Sequence, residues 1–368
     1  MRVLLLSDIN SAHTRRWAIS LQNSGIETGI FSLLPPETIE LEYLGIKIWH
    51  PGLFRKGISD SGLIRKAGYL KAAGFVRRCI DQFKPDILHA HYASSYGLLA
   101  SVSHFHPFFL TVWGSDVFDF PKSSLLGKAI LKYNFRKADR IFSTGRILAT
   151  EARKYTRKEI RLIPFGVDTQ KFAPLPPAGP EGREAIMIGT IKALEAIYGI
   201  DDLIKSFAVL CDKMPGRALR LTIAGTGTGE KTLKALTGNL NLSHLVTFTG
   251  KIPHDQVPVL LRTFDIFMNL SKHESFGVSV LEASACGIPV VATQTGGLAE
   301  VIEDHETGIL VPVGDPERAA QAAEQLIADP VLRELMGRKG RERVIQLFDW
   351  KSNVDTMIRE YQEIYRGT

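Results

Sequence analysis

The sequence predicts an α/β protein of two doubly wound, Rossmann-like domains. Short apolar, β-rich runs alternate with stretches at helical spacing along the whole chain, the pattern of parallel strands joined by crossover helices. The 368 residues suit two domains at about 150 residues each. Pro174, Pro176, Pro177, Gly179 and Pro180 form the clearest linker in the chain and separate two such alternating sets.

The first set places strands at Val3–Leu6, Thr28–Leu33, Ile46–Trp49, Ile87–Ala90, Phe108–Val112, Arg140–Ser143 and Ile160–Ile163, with helical stretches between most of them. The second set places them at Ala185–Ile188, Leu219–Ala224, Val246–Phe248, Ile266–Leu270, Pro289–Ala292 and Gly308–Val311. From Asp349 and Trp350 onward the chain reads as one terminal helix. The predicted organisation is therefore a first domain at 1–171, a linker at 172–184, a second domain at 185–349 and a final helix at 350–368. No self-similarity at a period of about 20 to 50 residues points to a repeat protein.

Composition narrows the function classes. With 45% hydrophobic and 23% charged residues, the chain is ordinary for a soluble globular protein. Cys79, Cys211 and Cys286 are too few and too scattered for a disulfide framework, and no C-x2-C pair points to zinc. The opening M-R-V-L-L-L-S-D meets an acid after four apolar residues, which fits a buried strand and not a signal peptide. No apolar run reaches the length of about 18 residues needed to span a bilayer, so a cytoplasmic protein is expected.

Charge is unevenly shared. Residues 1–175 hold 25 Lys and Arg against 14 Asp and Glu, whereas 176–368 hold 20 against 25. The basic residues fall in groups: Arg55, Lys56, Arg65, Lys66, Lys71, Arg77 and Arg78; then Lys128, Lys132 and Arg136; then Arg153, Lys154, Arg157 and Lys158. Leu63, Ile64, Tyr69, Leu70, Phe75 and Val76 interleave with the first group. Such a pattern suits either an anionic membrane surface or solvated helix faces. Nucleic acid is not expected as a partner, because no stacking motif or recognised module accompanies the charge.

The most informative segment is S-K-H-E-S-F-G-V-S-V-L-E, from Ser271 to Glu282, in which Glu274 and Glu282 flank a Phe-Gly turn. It reads as strand, tight loop and helix, the helix running over Val278–Ala285 and stopped by Gly287. The amides near Phe276, Gly277 and Val278 lack intrahelical acceptors and sit at the positive end of the helix dipole, which suits a phosphate. Glu282, one turn in, can accept two hydrogen bonds from a vicinal diol such as a ribose, and Glu274 can reach a second polyol. Phosphate, ribose and sugar are the parts of a nucleotide-sugar.

E-S-F-G-V-S-V-L-E-A-S-A-C-G-I-P-V-V-A-T, with Gly296, Gly297 and Glu300 beyond it, closely resembles the donor-binding signature of family 4 of the retaining glycosyltransferases. I-P-F-G-V-D-T-Q-K-F-A-P at 163–174 matches that family's segment at the end of the first domain, and the resemblance runs over almost the whole chain. It implies the GT-B fold: two Rossmann-like domains facing a cleft, with the terminal helix crossing back to the first. It also implies transfer of a sugar, hexosyl or N-acetylhexosaminyl, from a UDP- or GDP-linked donor with retention, by a front-face displacement in which the leaving phosphate helps deprotonate the acceptor. The expected acceptor is a lipid-linked or cell-surface glycan intermediate, as in polysaccharide or lipopolysaccharide biosynthesis.

Under this resemblance the donor site comprises Gly189, Thr190, Lys192, Lys251, Ile252, Glu274, Phe276, Gly277, Val278 and Glu282, with Glu274 and Lys192 closest to catalysis. Lys251 and Ile252 would meet the base. No D-x-D triad is present, and His89, His91, His104 and His106 lack a carboxylate at ligand spacing, so no metal and no cofactor is expected. Lys192 is then the cation for the leaving diphosphate. The acceptor side would use Asn10, Ser11, His13, Arg15, His91, Trp113 and Asp116, with Ser11 or Thr14 capping the first helix and Arg15 or Arg16 adding positive charge.

The sequence also departs from the family. The usual arginine and lysine places are Thr190 and Tyr198, the glycine-rich turn after the first strand is missing, and Trp113 stands where many relatives carry a histidine. A nucleotide-sugar epimerase and a non-catalytic partner in glycan synthesis therefore stay open as alternatives. Leu221–Gly229 looks like a dinucleotide fingerprint, but its glycines at 225, 227 and 229 are spaced G-x-G-x-G, and no acid follows at the next strand end. That segment is expected to close helix-to-strand packing near the donor.

Overall fold

In the computed structural model, residues 1–38, 40–52, 63–174 and 185–367 are described, with backbone alone for 63–70. Arg55, Lys56 and the linker residues Pro176, Pro177, Gly179 and Pro180 lie outside the described residues, as do the side chains of Arg65 and Lys66.

Two parallel sheets organise the chain. The first holds β1 (Arg2–Leu6), β2 (Glu27–Phe31), β3 (Lys47–Trp49), β4 (Ile87–His91), β5 (Phe108–Val112), β6 (Arg140–Ser143) and β7 (Ile160–Leu162), in the order β3-β2-β1-β4-β5-β6-β7. Its central strands are apolar on both faces because helices cover both: Leu4, Leu5, Phe109 and Leu110 are fully buried. The second holds β8 (Ile186–Ile191), β9 (Leu219–Ala224), β10 (Val246–Gly250), β11 (Ile266–Asn269), β12 (Val290–Thr293) and β13 (Gly308–Val311), in the order β10-β9-β8-β11-β12-β13. Each order reverses once, between β1 and β4 and between β8 and β11. Ligands of open α/β sheets bind beyond the carboxyl ends of the strands at such a reversal.

The chain divides into two compact units. Unit 1 is Met1–Pro164 with Ser352–Thr368, and unit 2 is Phe165–Lys351. The division thus falls earlier than the expected 171, and the reason is hydrogen bonding. Irregular backbone must find donors for its carbonyls. Arg341 donates to Thr169 O and Phe172 O, Arg262 donates to Ala173 O, and Thr169 Oγ1 bonds Asp349, so this segment is stitched to unit 2.

The helix Trp350–Gly367 returns to unit 1 over most of its length. Tyr361 is fully buried there, its hydroxyl 2.5 Å from His89 Nδ1 and its ring 5.4 Å from that of Phe109. Glu360 pairs with Arg140 and Arg161, and Glu363 with Arg140. Among the described residues, no helix is long and apolar enough to cross a membrane.

Candidate functional site

At the reversal of the second sheet, β8 delivers Lys192 and β11 leads to Glu274. β8 continues to Ile191, three residues past the expected end, so Gly189 and Thr190 lie inside the sheet and not at its rim. Gly189 is explained by packing: a Cβ there would lie 2.2 Å from the Phe264 ring. Thr190 is buried. Both positions therefore serve the ladder of β8, Gly189 against the Phe264 ring and Thr190 with its side chain buried.

Lys192 Nζ and Glu274 Oε2 form an ion pair, with side chains only 14% and 12% exposed. Lys192 also stands 4.4 Å above the ring of Tyr198. The G-x-G-x-G run cups the backbone beyond Lys192. Lys192 N donates to Ala224 O, Leu194 N to Thr226 O and Gly229 N to Leu194 O. A Cβ on Gly227 would lie 2.5 Å from Leu194 O, so side chains at these positions are excluded by the loop they hold. The misleading fingerprint is a mould for the Lys192 loop.

Beyond Glu274, the helix Val278–Ala285 begins at Gly277, whose φ of 97° favours glycine, and no side chain caps it. Among the described residues, the amides of Phe276, Gly277, Val278 and Ser279 have no protein acceptor, and the buried Ser279 hydroxyl has none either. Phe276 turns its side chain inward, its ring 5.6 Å from Phe165 and 6.0 Å from Phe348. It therefore offers its backbone rather than its ring. Gly297 N donates to Glu274 O, fixing the loop from the other side.

Glu282 is 10% exposed in its side chain and accepts a hydrogen bond at 3.0 Å from His254 Nε2. Its low exposure rules out a merely solvated carboxylate. His254, which sequence reasoning missed, follows the strand β10 three residues after Lys251; Lys251 is exposed and Ile252 half-buried. The signal available was a histidine in the turn already assigned to the base.

Unit 1 gathers aromatic and imidazole rings at the reversal of its own sheet. The His91 ring lies 4.8 Å from Trp113 and 4.6 Å from His89, and His13 stacks edge-on to Trp113 at 5.9 Å. Burial, then the neighbouring Arg16, lowers His13 to about 4, and burial, then His13, lowers His91 to about 3. These imidazoles are neutral at pH 7 and can exchange hydrogen bonds with hydroxyls. The His91 Nδ1 is buried without a partner among the described residues.

The remaining unit 1 candidates are used by the fold. Asp116 is fully buried and accepts from the amides of Ala93, Gly114 and Trp113, so its oxygens hold a turn and are not offered to a ligand. Burial raises its pKa against the pull of those amides. Arg15 pairs with Glu40, which cancels the charge expected of it. Asn10 bridges Pro35 O and Glu37 N. Ser11 occupies the N-cap without a side-chain cap bond, and the Thr14 hydroxyl instead bonds Ser7 at 2.6 Å.

The comparisons with known proteins agree with this geometry. Residues 176–343 match the family model Glycosyl transferases group 1, and residues 2–145 match Glycosyl transferase 4-like. Both units are thus covered, and the chain belongs to these glycosyltransferase families. N-acetyl-alpha-D-glucosaminyl L-malate synthase of Bacillus anthracis is 29% identical over 300 residues, 76% of this chain and 74% of that protein. GDP-mannose-dependent alpha-(1-6)-phosphatidylinositol monomannoside mannosyltransferase of Mycolicibacterium smegmatis is 33% identical over 203 residues. That alignment takes in 52% of this chain and 53% of the relative, about half of each. The solved structure of Anabaena HepE in complex with UDP has a TM-score of 0.81 at 18% identity, covering 99% of this chain and all of that one. The fold is therefore the GT-B type, with two Rossmann-like parallel sheets.

Proposed function

We propose that the chain transfers a sugar from a nucleotide-diphosphate donor, UDP- or GDP-linked, to a lipid-linked or cell-surface glycan acceptor, with retention and without a metal. The observation that carries this is the Lys192–Glu274 pair at the β8/β11 reversal, three residues ahead of an uncapped helix start. A cation and a set of free amides are what a leaving diphosphate requires as its charge develops.

In this reading Glu282 holds the ribose, Glu274 the sugar hydroxyls, and Lys192 with the amides of Phe276–Ser279 the diphosphate. The turn at Lys251 and Ile252 meets the base. Unit 1 receives the acceptor at His13, His91 and Trp113, and its basic helix faces favour an anionic membrane surface on the cytoplasmic side. Departure of the diphosphate leaves an oxygen that takes the acceptor hydroxyl proton on the same face as the new bond, which gives retention.

The test is transfer from labelled UDP- and GDP-sugars, with and without membrane lipid extract, in excess chelator. Acceptor-dependent product is expected. Conversion of the sugar without acceptor would instead mark an epimerase, and no turnover of any donor a non-catalytic protein. Glu282→Ala should weaken the nucleotide by about 10- to 100-fold, as loss of charged hydrogen bonds does. Glu274→Ala should lower turnover by about 100-fold with the nucleotide affinity little changed. Unchanged nucleotide affinity in the Glu282 variant refutes the ribose assignment.

A further inference from the structure

Lysine carries its charge on a flexible four-carbon stem, so an ammonium that must meet one oxygen needs outside positioning, unlike the rigid fork of arginine. In unit 2 the backbone around Lys192 is already immobilised. Lys192 O lies 1.9 Å from where a Cβ on Gly225 would stand, at a φ of +140°. Leu270 O lies 1.9 Å from the corresponding point on Gly199, and Glu274 O 1.8 Å from that on Gly296, at φ of +60° and +48°. The segments bearing Lys192, Tyr198 and Glu274 are therefore each wedged against a position only glycine fills. What remains free is the lysine stem, and its ammonium has two partners: the Glu274 carboxylate and the face of the Tyr198 ring.

We propose that Tyr198 is a positioning residue for the donor diphosphate: its ring keeps the Lys192 ammonium at the end of β8 when Glu274 turns its hydrogen bonds to the sugar. The proposal rests on unit 2 being the nucleotide-diphosphate site. The two partners act differently. Glu274 attracts the ammonium by cancelling its charge, whereas an aromatic face attracts it through the ring quadrupole and leaves the charge intact for a phosphate. Both side chains of the ion pair are mostly withdrawn from water, where a cation–ring contact is stronger than at an exposed surface. Burial, then Glu274 and Glu195, holds the Tyr198 phenol above its usual value, so the ring meets Lys192 uncharged. The ring and not the hydroxyl is the working part, and phenylalanine should replace it.

The full chain is titrated with UDP and GDP and with the matching monophosphates UMP and GMP. Tyr198→Leu should weaken the diphosphate that the wild type binds by about 3- to 30-fold, with the monophosphate changed by less than about twofold. Tyr198→Phe should restore wild-type affinity. In a Lys192→Met background, Tyr198→Leu should add no further loss, since the two residues act as one. Equal losses for mono- and diphosphate, or the same loss with and without Lys192, would make Tyr198 a packing residue and overturn the proposal. An unchanged diphosphate affinity in Tyr198→Leu overturns it as well. A wild-type chain that binds neither UDP nor GDP overturns the donor-site reading and this proposal together, a result distinct from wild-type binding without coupling.

Discussion

His91 ends β4 with its ring packed between Trp113 and His89, where an imidazolium has neither water nor a counter-ion among the described residues to stabilise it. His13 shares that environment, and the Arg16 charge adds to the penalty. The unfolded chain takes up protons at both residues from about pH 6.5 downward, whereas the folded protein refuses them until about 4 and about 3. Stability is then complete above about pH 6.5 and is lost progressively as pH falls across that window. Thermal midpoints measured between about pH 7 and pH 4 should decline, and His91→Phe, which keeps a ring but no titrating group, should flatten the decline. An identical slope in that variant would show that His91 is not the source. At this scale the sequence was partly legible. The Gly277 turn and the place of Glu282 in the helix after it were readable because that spacing is local, whereas the meeting of Lys192 with Glu274, 82 residues further on, was not. The partners of Asp116 and Arg15 were not readable, since an acid or a cation near a helix start looks the same whether it serves a ligand, a set of backbone amides or a partner such as Glu40.

The elements were more legible than the side chains. All thirteen expected strands are present, and the central ones announce themselves most plainly, because burial on both faces makes them apolar runs. The end of β8 was misplaced because Gly189 and Thr190 break that run in sequence, yet Gly189 stays in the ladder between Phe267 and Thr222, and Thr190 beside Ile223. Contacts between distant elements could not be read at all. Tyr361 and His89 are 272 residues apart, and nothing in the terminal helix names its partner. The hydroxyl bonds His89 Nδ1 while Thr111 Oγ1 holds Nε2 at 2.7 Å, so both ring nitrogens are satisfied in a fully buried place. Tyr361→Phe should leave Nδ1 unsatisfied and cost about 1–3 kcal/mol in denaturant unfolding. A cost below about 0.5 kcal/mol would mean that the imidazole finds another partner.

At the scale of the whole molecule, the excess of cations in residues 1–175 is not uniformly available for a membrane. Arg77 donates to Val102 O, and Lys158 donates to Arg136 O and closes the end of the helix Leu125–Lys137. Lys128, Lys132 and Arg136 repeat at four-residue spacing on that helix, whose first residues Leu125 and Leu126 are exposed. Lys132, Arg136 and Arg157 also line an open surface depression with Tyr155, Thr156 and Lys158. Each Lys or Arg near an anionic leaflet contributes about 1 kcal/mol, so a group of this size supports reversible binding that salt weakens. Replacing Lys128, Lys132 and Arg157 with serine should reduce sedimentation with phosphatidylserine vesicles while nucleotide affinity is unchanged. A wild-type protein that stays in the supernatant at low salt would refute the membrane reading. The split of unit 1 across the chain has a consequence for biogenesis. Synthesis runs from the first residue, so the ribosome releases all of unit 2 before the segment that bears Tyr361 and Glu360. Until then the nascent first unit has a complete sheet but an unsealed face over His89 and Phe109, open to chaperones and proteases for longer than any contiguous domain of its size would be.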